Sequence, residues 1–177
     1  MLSLTRLSVA LLALASTLAA QDSVPSRTWI RCGKLLADPG NAPLERVTLT
    51  LRGAQVAGIK AGFPDPEEAE IRVVDLSGSF VLPGLIDCHT HITFRLSKDS
   101  KLEAVEDSEA DVAIQATIYA KDTLQSGVTT IRNLGSSGDT VFALRDAIAS
   151  GKIAGPRILA AGCALSPSGG HGDDTHG

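Results

Sequence analysis

The alternation of short apolar segments with helical segments after Pro83 constrains the fold of this chain most strongly. The runs "LIDCHTHI", "VTTIRNLG" and "PRILAAG" are typical of short strands. Residues 108–126 predict a helix with Gly127 as its C-cap, and "DTVFALRDAIASG" predicts a second with Asp139 as N-cap. The apolar residues of the first helix recur at steps of three and four: Val112, Ala116, Tyr119, Ala120 and Leu124. The order is β-α-β-α-β, with connections long enough for parallel crossovers.

Two architectures fit this alternation, an open doubly wound sheet and a TIM-type barrel. A dinucleotide-binding sheet needs G-x-G-x-x-G directly after its first strand, and this strand ends in "DCHTH" instead. The turn "GSSGD", Gly135 to Asp139, follows the second strand and stays open as an anion site at a helix N-terminus. The barrel is favoured because barrels carry their chemistry at the C-terminal ends of strands.

Residues 24–82 have a different texture, with β-branched runs separated by Gly, Pro and Asn. In "RVTLTLR" the apolar residues Val47, Leu49 and Leu51 alternate with polar ones, which is the period of a half-buried strand. This part of the chain therefore predicts a small antiparallel sheet that forms its own region before residue 83.

Residues 1–20 have the layout of a secretory signal peptide: Arg6, an apolar run from Leu7 to Leu18, then small residues. The run is shorter than the roughly 20 residues that a spanning helix needs. Cleavage after Ala19 or Ala20 is expected, which predicts a periplasmic or secreted protein without a membrane anchor. The net charge of −4, with no Lys/Arg block, argues against a nucleic-acid partner.

The chain has three cysteines, Cys32, Cys88 and Cys163. Their odd number and their spacings match no disulfide framework, so they are expected to be small apolar residues of a core.

Two of the four histidines, His89 and His91, lie at the end of the first strand of the alternation. Side chains alternate faces along a strand, so Asp87, His89 and His91 share one face, and the two histidine Cα atoms lie roughly 7 Å apart. Both rings can then reach one ion at about 2.0–2.1 Å. Asp87 is either a partner that holds a histidine ring or a structural acid.

The stretch "VLPGLIDCHTHITF" resembles the P-G-L/F-I-D-x-H-x-H segment that opens the barrel of the amidohydrolase superfamily. "SGVTTIRNLG" is similar to that family's second strand, and "GPRILAAGCALSPSGGHGD" to its third strand with a glycine-histidine loop. "GSFVLPG" and the β-rich segment before it are similar to one piece of the family's split β-sandwich. The G-G-H-G-D loop points to the imidazolonepropionase-like branch, which includes metal-dependent dipeptidases.

The resemblance implies an α/β protein: a β-sandwich portion over 24–82, then the first three strands of a (β/α)8 barrel over 83–177. It implies hydrolysis of amide or cyclic-amide C–N bonds in a small or dipeptide-like substrate by metal-activated hydroxide. His89 and His91 match metal ligands, and His171 matches a loop histidine that orients substrate or stabilises an oxyanion. Zinc is the expected metal, as one or two ions, although iron, nickel and manganese suit such ligands too.

Two departures from the family pattern matter. Position 133 is Asn where the family usually has Asp. The family's remaining ligands are a lysine or acid, two histidines and an aspartate, and they come from later strands. The chain supplies only three of the eight barrel strands. The nearby His176, Asp173 and Asp174 are expected to be solvated loop residues. The chain is therefore expected to be a fragment that is inactive alone; the alternative is a short, non-catalytic α/β binding module.

Overall fold

The computed structural model describes residues 27–170, which divide into two compact units at the boundary between Leu82 and Pro83. Unit 1, before this boundary, contains β1 (Arg27–Leu35), β2 (Leu44–Arg52), β3 (Gln55–Ala61) and β4 (Arg72–Val81). Unit 2, after it, contains β5 (Leu85–Thr90), α1 (Ser100–Glu106), α2 (Glu109–Gln125), β6 (Val128–Asn133), α3 (Thr140–Ala149) and β7 (Arg157–Ala160). The chain is therefore an α/β protein.

The sheet of unit 1 has the strand order β3-β2-β1-β4. β1 and β2 pair antiparallel, as do β2 and β3, but β4 pairs with β1 in parallel. The prediction of an antiparallel sheet is therefore wrong for this last pair. Residues 62–71 return the chain to the end of the sheet where β1 begins, so that Thr28 pairs with Arg72 and Leu35 with Val81.

The core of unit 1 contains Cys32, Leu35 and Val47. Burial raises the pKa of the Cys32 thiol. The expectation that the cysteines are core residues is confirmed for Cys32 and wrong for Cys88 and Cys163, which are exposed; all three are free thiols.

The sheet of unit 2 has the order β5-β6-β7, and both pairings are parallel. The predicted β-α-β-α-β order is confirmed. Helices α2 and α3 cover one side of the sheet, and the core between them and the strands consists of Ile92, Ala116, Ala120, Ile131, Val141, Leu144 and Ile158. Helix α1 was not predicted from the sequence. Its apolar side chains, Leu102 and Val105, are exposed, so it lacks the buried stripe by which helices are predicted.

The ends of the helices follow their sequence signals in part. Ser108 and Asp111 form a capping box at the start of α2, and the hydrogen bonds from Ser108 lower the pKa of the Asp111 carboxyl. Gly127 follows the helix with a φ of 94°, which confirms its predicted place. Asp139 holds the N-cap position of α3, but its side chain makes no capping hydrogen bond. No helix within residues 27–170 combines the length and apolarity that a membrane span requires.

Candidate metal centre

The two histidines of the H-x-H motif lie together at the C-terminal end of β5. His89 is the penultimate residue of the strand, and His91 follows its last residue. Their ring centroids are 5.5 Å apart, with an angle of 62° between the ring planes, and both residues are exposed to solvent. Two imidazoles with access to solvent therefore stand side by side at a strand end.

A break in the ladder between β5 and β6 lies beside this pair. Asp87 pairs with Ile131 and Thr90 with Asn133, so three steps along β5 match two along β6. The extra residue is a β-bulge, and it lies in the segment that contains His89. The prediction that His89 and His91 share one face of the strand stays a prediction, and the 5.5 Å between their ring centroids agrees with it. The bulge lies beside the two rings.

Polar side chains supply hydrogen bonds where the ladder is broken. Oδ1 of Asp87 accepts from the backbone N–H of His89 at 2.9 Å, and Nε of Arg132 donates to the carbonyl of Cys88 at 2.7 Å. Asp87 thus holds the main chain at His89; among the contacts of the described residues its carboxylate has none with an imidazole ring. Its placement fits a positioning acid more closely than a metal ligand.

The orientation of the His91 ring is fixed by a backbone carbonyl. Nδ1 of His91 lies 3.0 Å from the carbonyl oxygen of Gly135. A carbonyl oxygen can only accept, so this hydrogen bond requires the proton on Nδ1, and a neutral ring in this tautomer has a free lone pair on Nε2. A neutral imidazole that donates one N–H to a carbonyl is the usual state of a metal-binding histidine. His91 therefore presents Nε2 as a donor atom.

Asn133 is the residue whose part the sequence did not show. Its side chain is fully buried at the end of β6. Oδ1 accepts from the N–H of Ile92 at 2.6 Å, and Nδ2 donates to the carbonyl of Gly135 at 3.1 Å and to Oγ of Ser136 at 2.9 Å. The only sequence signal was the departure from the family's Asp. The amide donates two hydrogen bonds that an ionised carboxylate lacks.

The pair of imidazoles fits the chemistry of a zinc centre but supplies only part of its ligands. Catalytic zinc sites use three protein ligands. Within residues 27–170 no group of three or more His, Cys, Asp or Glu side chains is placed to hold an ion. His171, together with Asp173, Asp174 and His176, lies outside the described residues, so its predicted place near the site stays a prediction.

The glycine turn at Gly135 to Asp139, a possible anion site, has carboxylates beside it. Gly138 has a φ of 59°, and a Cβ there would collide with the carboxylate of Glu109. Asp139 is the next residue. Two carboxylates beside one helix N-terminus repel a phosphate, so this turn is a poor anion site.

Comparison with known proteins agrees with the family resemblance of the sequence. Residues 80–176 match the model of the amidohydrolase family. An uncharacterized protein of Mycobacterium tuberculosis is 33% identical over 123 residues, which are 70% of this chain and 17% of the relative. The imidazolonepropionase of Klebsiella pneumoniae is 43% identical over 60 residues, 34% of this chain and 14% of that enzyme.

A similar solved structure is that of a Xaa-Pro dipeptidase with methionine bound in its active site. It superposes with a TM-score of 0.77 at 40% identity, over 86% of this chain and 37% of the dipeptidase. The chain spans less than two fifths of the length of each of these proteins.

Proposed function

The chain belongs to the amidohydrolase family, and from this premise we propose that it carries the first part of the metal centre of a hydrolase that cleaves amide or cyclic-amide C–N bonds. One observation supports the proposal above all: the rings of His89 and His91 stand side by side at a strand end, and Nδ1 of His91 is occupied by the Gly135 carbonyl. This arrangement leaves Nε2 of His91 for an ion.

His89 and His91 are the residues that would hold a divalent ion, with zinc the best match to imidazole nitrogen. When bound, such an ion lowers the pKa of water towards about 7 and polarises a carbonyl group. The chain's own residues hold the rings: Asp87 and Arg132 secure the bulge, and Gly135 orients His91. His171 is proposed to orient the substrate or to stabilise an oxyanion.

The substrate is proposed to be a small acyl-amino acid or a dipeptide. The similar proteins include a Xaa-Pro dipeptidase and an imidazolonepropionase, whose names denote a dipeptide and a small imidazolone. The proposed architecture is the one these relatives suggest. Residues 24–82 form part of a β-sandwich, and the three parallel strands after residue 83 are the first three of a (β/α)8 barrel.

A chimera tests this proposal. The segment of the Xaa-Pro dipeptidase that superposes on residues 83–170 is replaced by those residues, and hydrolysis of a Xaa-Pro dipeptide is measured. We expect activity that depends on added zinc and is lost when His89 and His91 are replaced by Ala. Replacement of the exposed Lys121 by Ala is the control and leaves activity unchanged.

Activity in the chimera without both histidines would contradict the proposal. The 177-residue chain alone is expected not to hydrolyse the dipeptide, because its described residues provide two ligands where catalytic zinc uses three. Zinc-dependent hydrolysis by this chain alone would contradict that expectation.

We also propose that the protein is exported and loses its first 19 or 20 residues. Expression in a Gram-negative bacterium, followed by fractionation and N-terminal sequencing, tests this. The expected first residue of the periplasmic form is Ala20 or Gln21. Protein found only in the cytoplasm, with Leu2 or Met1 at its terminus, would contradict export.

A further inference from the structure

We propose that Asn133 is a positioning residue of the candidate metal centre: its buried amide holds the Gly135 carbonyl where it receives the Nδ1–H of His91. His91 thereby presents Nε2 to the ion in a fixed direction. This inference rests on the proposed function for the identity of the ligand. The contacts that carry it are independent of any ion.

The side-chain amide of Asn133 makes three hydrogen bonds. The residue is completely buried. Its two amide protons have two acceptors, the Gly135 carbonyl and Oγ of Ser136, and its oxygen has one donor, the N–H of Ile92. A buried amide with both N–H groups and its oxygen hydrogen-bonded is held in one orientation, because rotation would break these bonds and leave buried polar atoms unpaired.

Two of these contacts act on the same histidine. Ile92 follows His91 directly, so the bond to Oδ1 fixes the main chain on one side of that residue. The bond to Gly135 fixes the carbonyl that accepts from the ring. One side chain therefore restrains both the backbone and the imidazole of His91.

The main chain of Asn133 extends this restraint to the third strand. Its carbonyl accepts from the N–H of Ala161 at 3.0 Å, just after the end of β7, and its Cα pairs with Ala160. On the other side it pairs with Thr90 at the end of β5. Asn133 thus joins the C-terminal ends of all three strands of unit 2, which is where the histidines lie.

An aspartate at position 133 would act differently. A carboxylate can still accept from the Ile92 N–H, but it cannot donate to the Gly135 carbonyl, and the two oxygens would repel each other. The carboxylate would also compete with that carbonyl for the Nδ1–H of His91. The ring would lose its fixed acceptor although the side chains of Asn and Asp have nearly the same shape.

The test is the variant Asn133→Asp in the 177-residue chain, read out in two ways. Nitrogen-15 NMR of the ring without metal reports the tautomer of His91, and a zinc titration reports the affinity. The wild type is expected to show the Nδ1–H tautomer. The variant is expected to show a mixture and to bind zinc about 10–100-fold more weakly, the usual effect of losing a partner behind a metal ligand.

Two control variants separate positioning from general effects. Asn41→Asp makes the same atomic change on an exposed loop of unit 1, and Ser136→Ala removes one Nδ2 partner but leaves the contact with Gly135. Both are expected to keep the His91 tautomer. A lower melting temperature of Asn133→Asp with an unchanged tautomer and zinc affinity would overturn the proposal, because Asn133 would then be only a core residue.

A second measurement tests the proposal even if Asn133→Asp does not fold. In His91→Ala, which replaces an exposed residue, the side-chain amide protons of Asn133 are expected to shift, because the Gly135 carbonyl loses its other donor. Unshifted amide protons would overturn the inference. If the wild type binds no zinc, the proposed function fails, whereas the tautomer and amide signals still decide the part of Asn133.

Discussion

Each unit contains a register shift between two parallel strands. In unit 1 the backbones at the shift approach closely, and in unit 2 polar side chains hydrogen-bond to the main chain there. In unit 1 the shift lies between Cys32 and Lys34, which pair with Leu76 and Phe80 of β4. Gly33 closes it by close approach of the backbones, since a Cβ at this position would collide with the Ser77 carbonyl.

In unit 2 the β5–β6 ladder shifts between Leu85 and Ile86 and again between Asp87 and Thr90, and polar side chains close the second shift. Asp87 and Arg132 bond to the main chain of the bulge, and Asn133 bonds to the residue that follows His91. A break closed by glycine leaves no side chain to do chemistry. The break closed by polar side chains lies at the C-terminal end of a parallel strand, next to two imidazoles that are exposed to solvent, and the candidate site lies there.

The largest expected effect comes from the core beneath the unit 2 break. Ile131 is fully buried and pairs with Asp87 at the start of the bulge. Ile131→Ala is expected to lower the free energy of unfolding by about 3 kcal/mol, the usual cost of a cavity left by such a residue. Urea denaturation measures it. Ile59→Ala, at a 42% exposed position of unit 1, is the control and should cost clearly less; equal losses would contradict the packing described.

Gly33→Ala tests the unit 1 break. The added methyl group meets backbone, so the free energy of unfolding should fall by about 2 kcal/mol. Gly78→Ala is the matched control, because a Cβ at position 78 meets no atom within 4 Å. Thermal unfolding of both variants gives the comparison. Equal melting temperatures of the two variants would contradict the close approach of the backbones at Gly33.

Arg132→Ala tests the unit 2 break. The carbonyl of Cys88 loses the donor that replaces a ladder bond, at a cost of about 1 kcal/mol. Zinc should bind more weakly, because the bulge beside His89 loosens. Arg157→Ala, an exposed arginine on β7, is the control for loss of charge. Identical zinc affinity for both variants would show that Arg132 does not secure the site.

The smallest effect is a pH dependence at the unit 1 break. Hydrogen bonds from the side chain and the backbone of Ser77 lower the pKa of the Asp75 carboxyl. A lowered folded-state pKa gives stability that is present above the unfolded pKa, about 3.9, and is lost as the pH falls through the folded value. Asp75→Asn should flatten the stability curve in this acid range. A curve as steep as that of the wild type would show that other carboxyls cause it.

The sequence predicted the strands of unit 2 and its helices α2 and α3, because their signals are local, but not α1. For α2, the apolar steps of three and four and the glycine after the helix identify it without reference to the rest of the chain. The parallel order followed from crossover length. The parallel pairing of β4 was not predicted, because it depends on the route of residues 62–71 past strands already formed.

That His89 and His91 are metal ligands stays a prediction, and the residues that support the two rings were not predicted. The H-x-H motif identified His89 and His91, but the bulge depends on the register between strands about forty residues apart in sequence. Position 133 was noticed as a departure from the family. Its part depends on where the Gly135 carbonyl points, which no residue pattern encodes.

The most direct test of the central claim, that His89 and His91 bind one ion, is a zinc titration followed by NMR of their ring signals. It uses the chain with the exposed thiols of Cys88 and Cys163 replaced by Ser, since thiolates are competing zinc ligands. We predict that both ring signals shift along one saturation curve, and that His89→Ala weakens the response of His91 by at least about tenfold. Two independent curves, or no response of either ring, would contradict the claim.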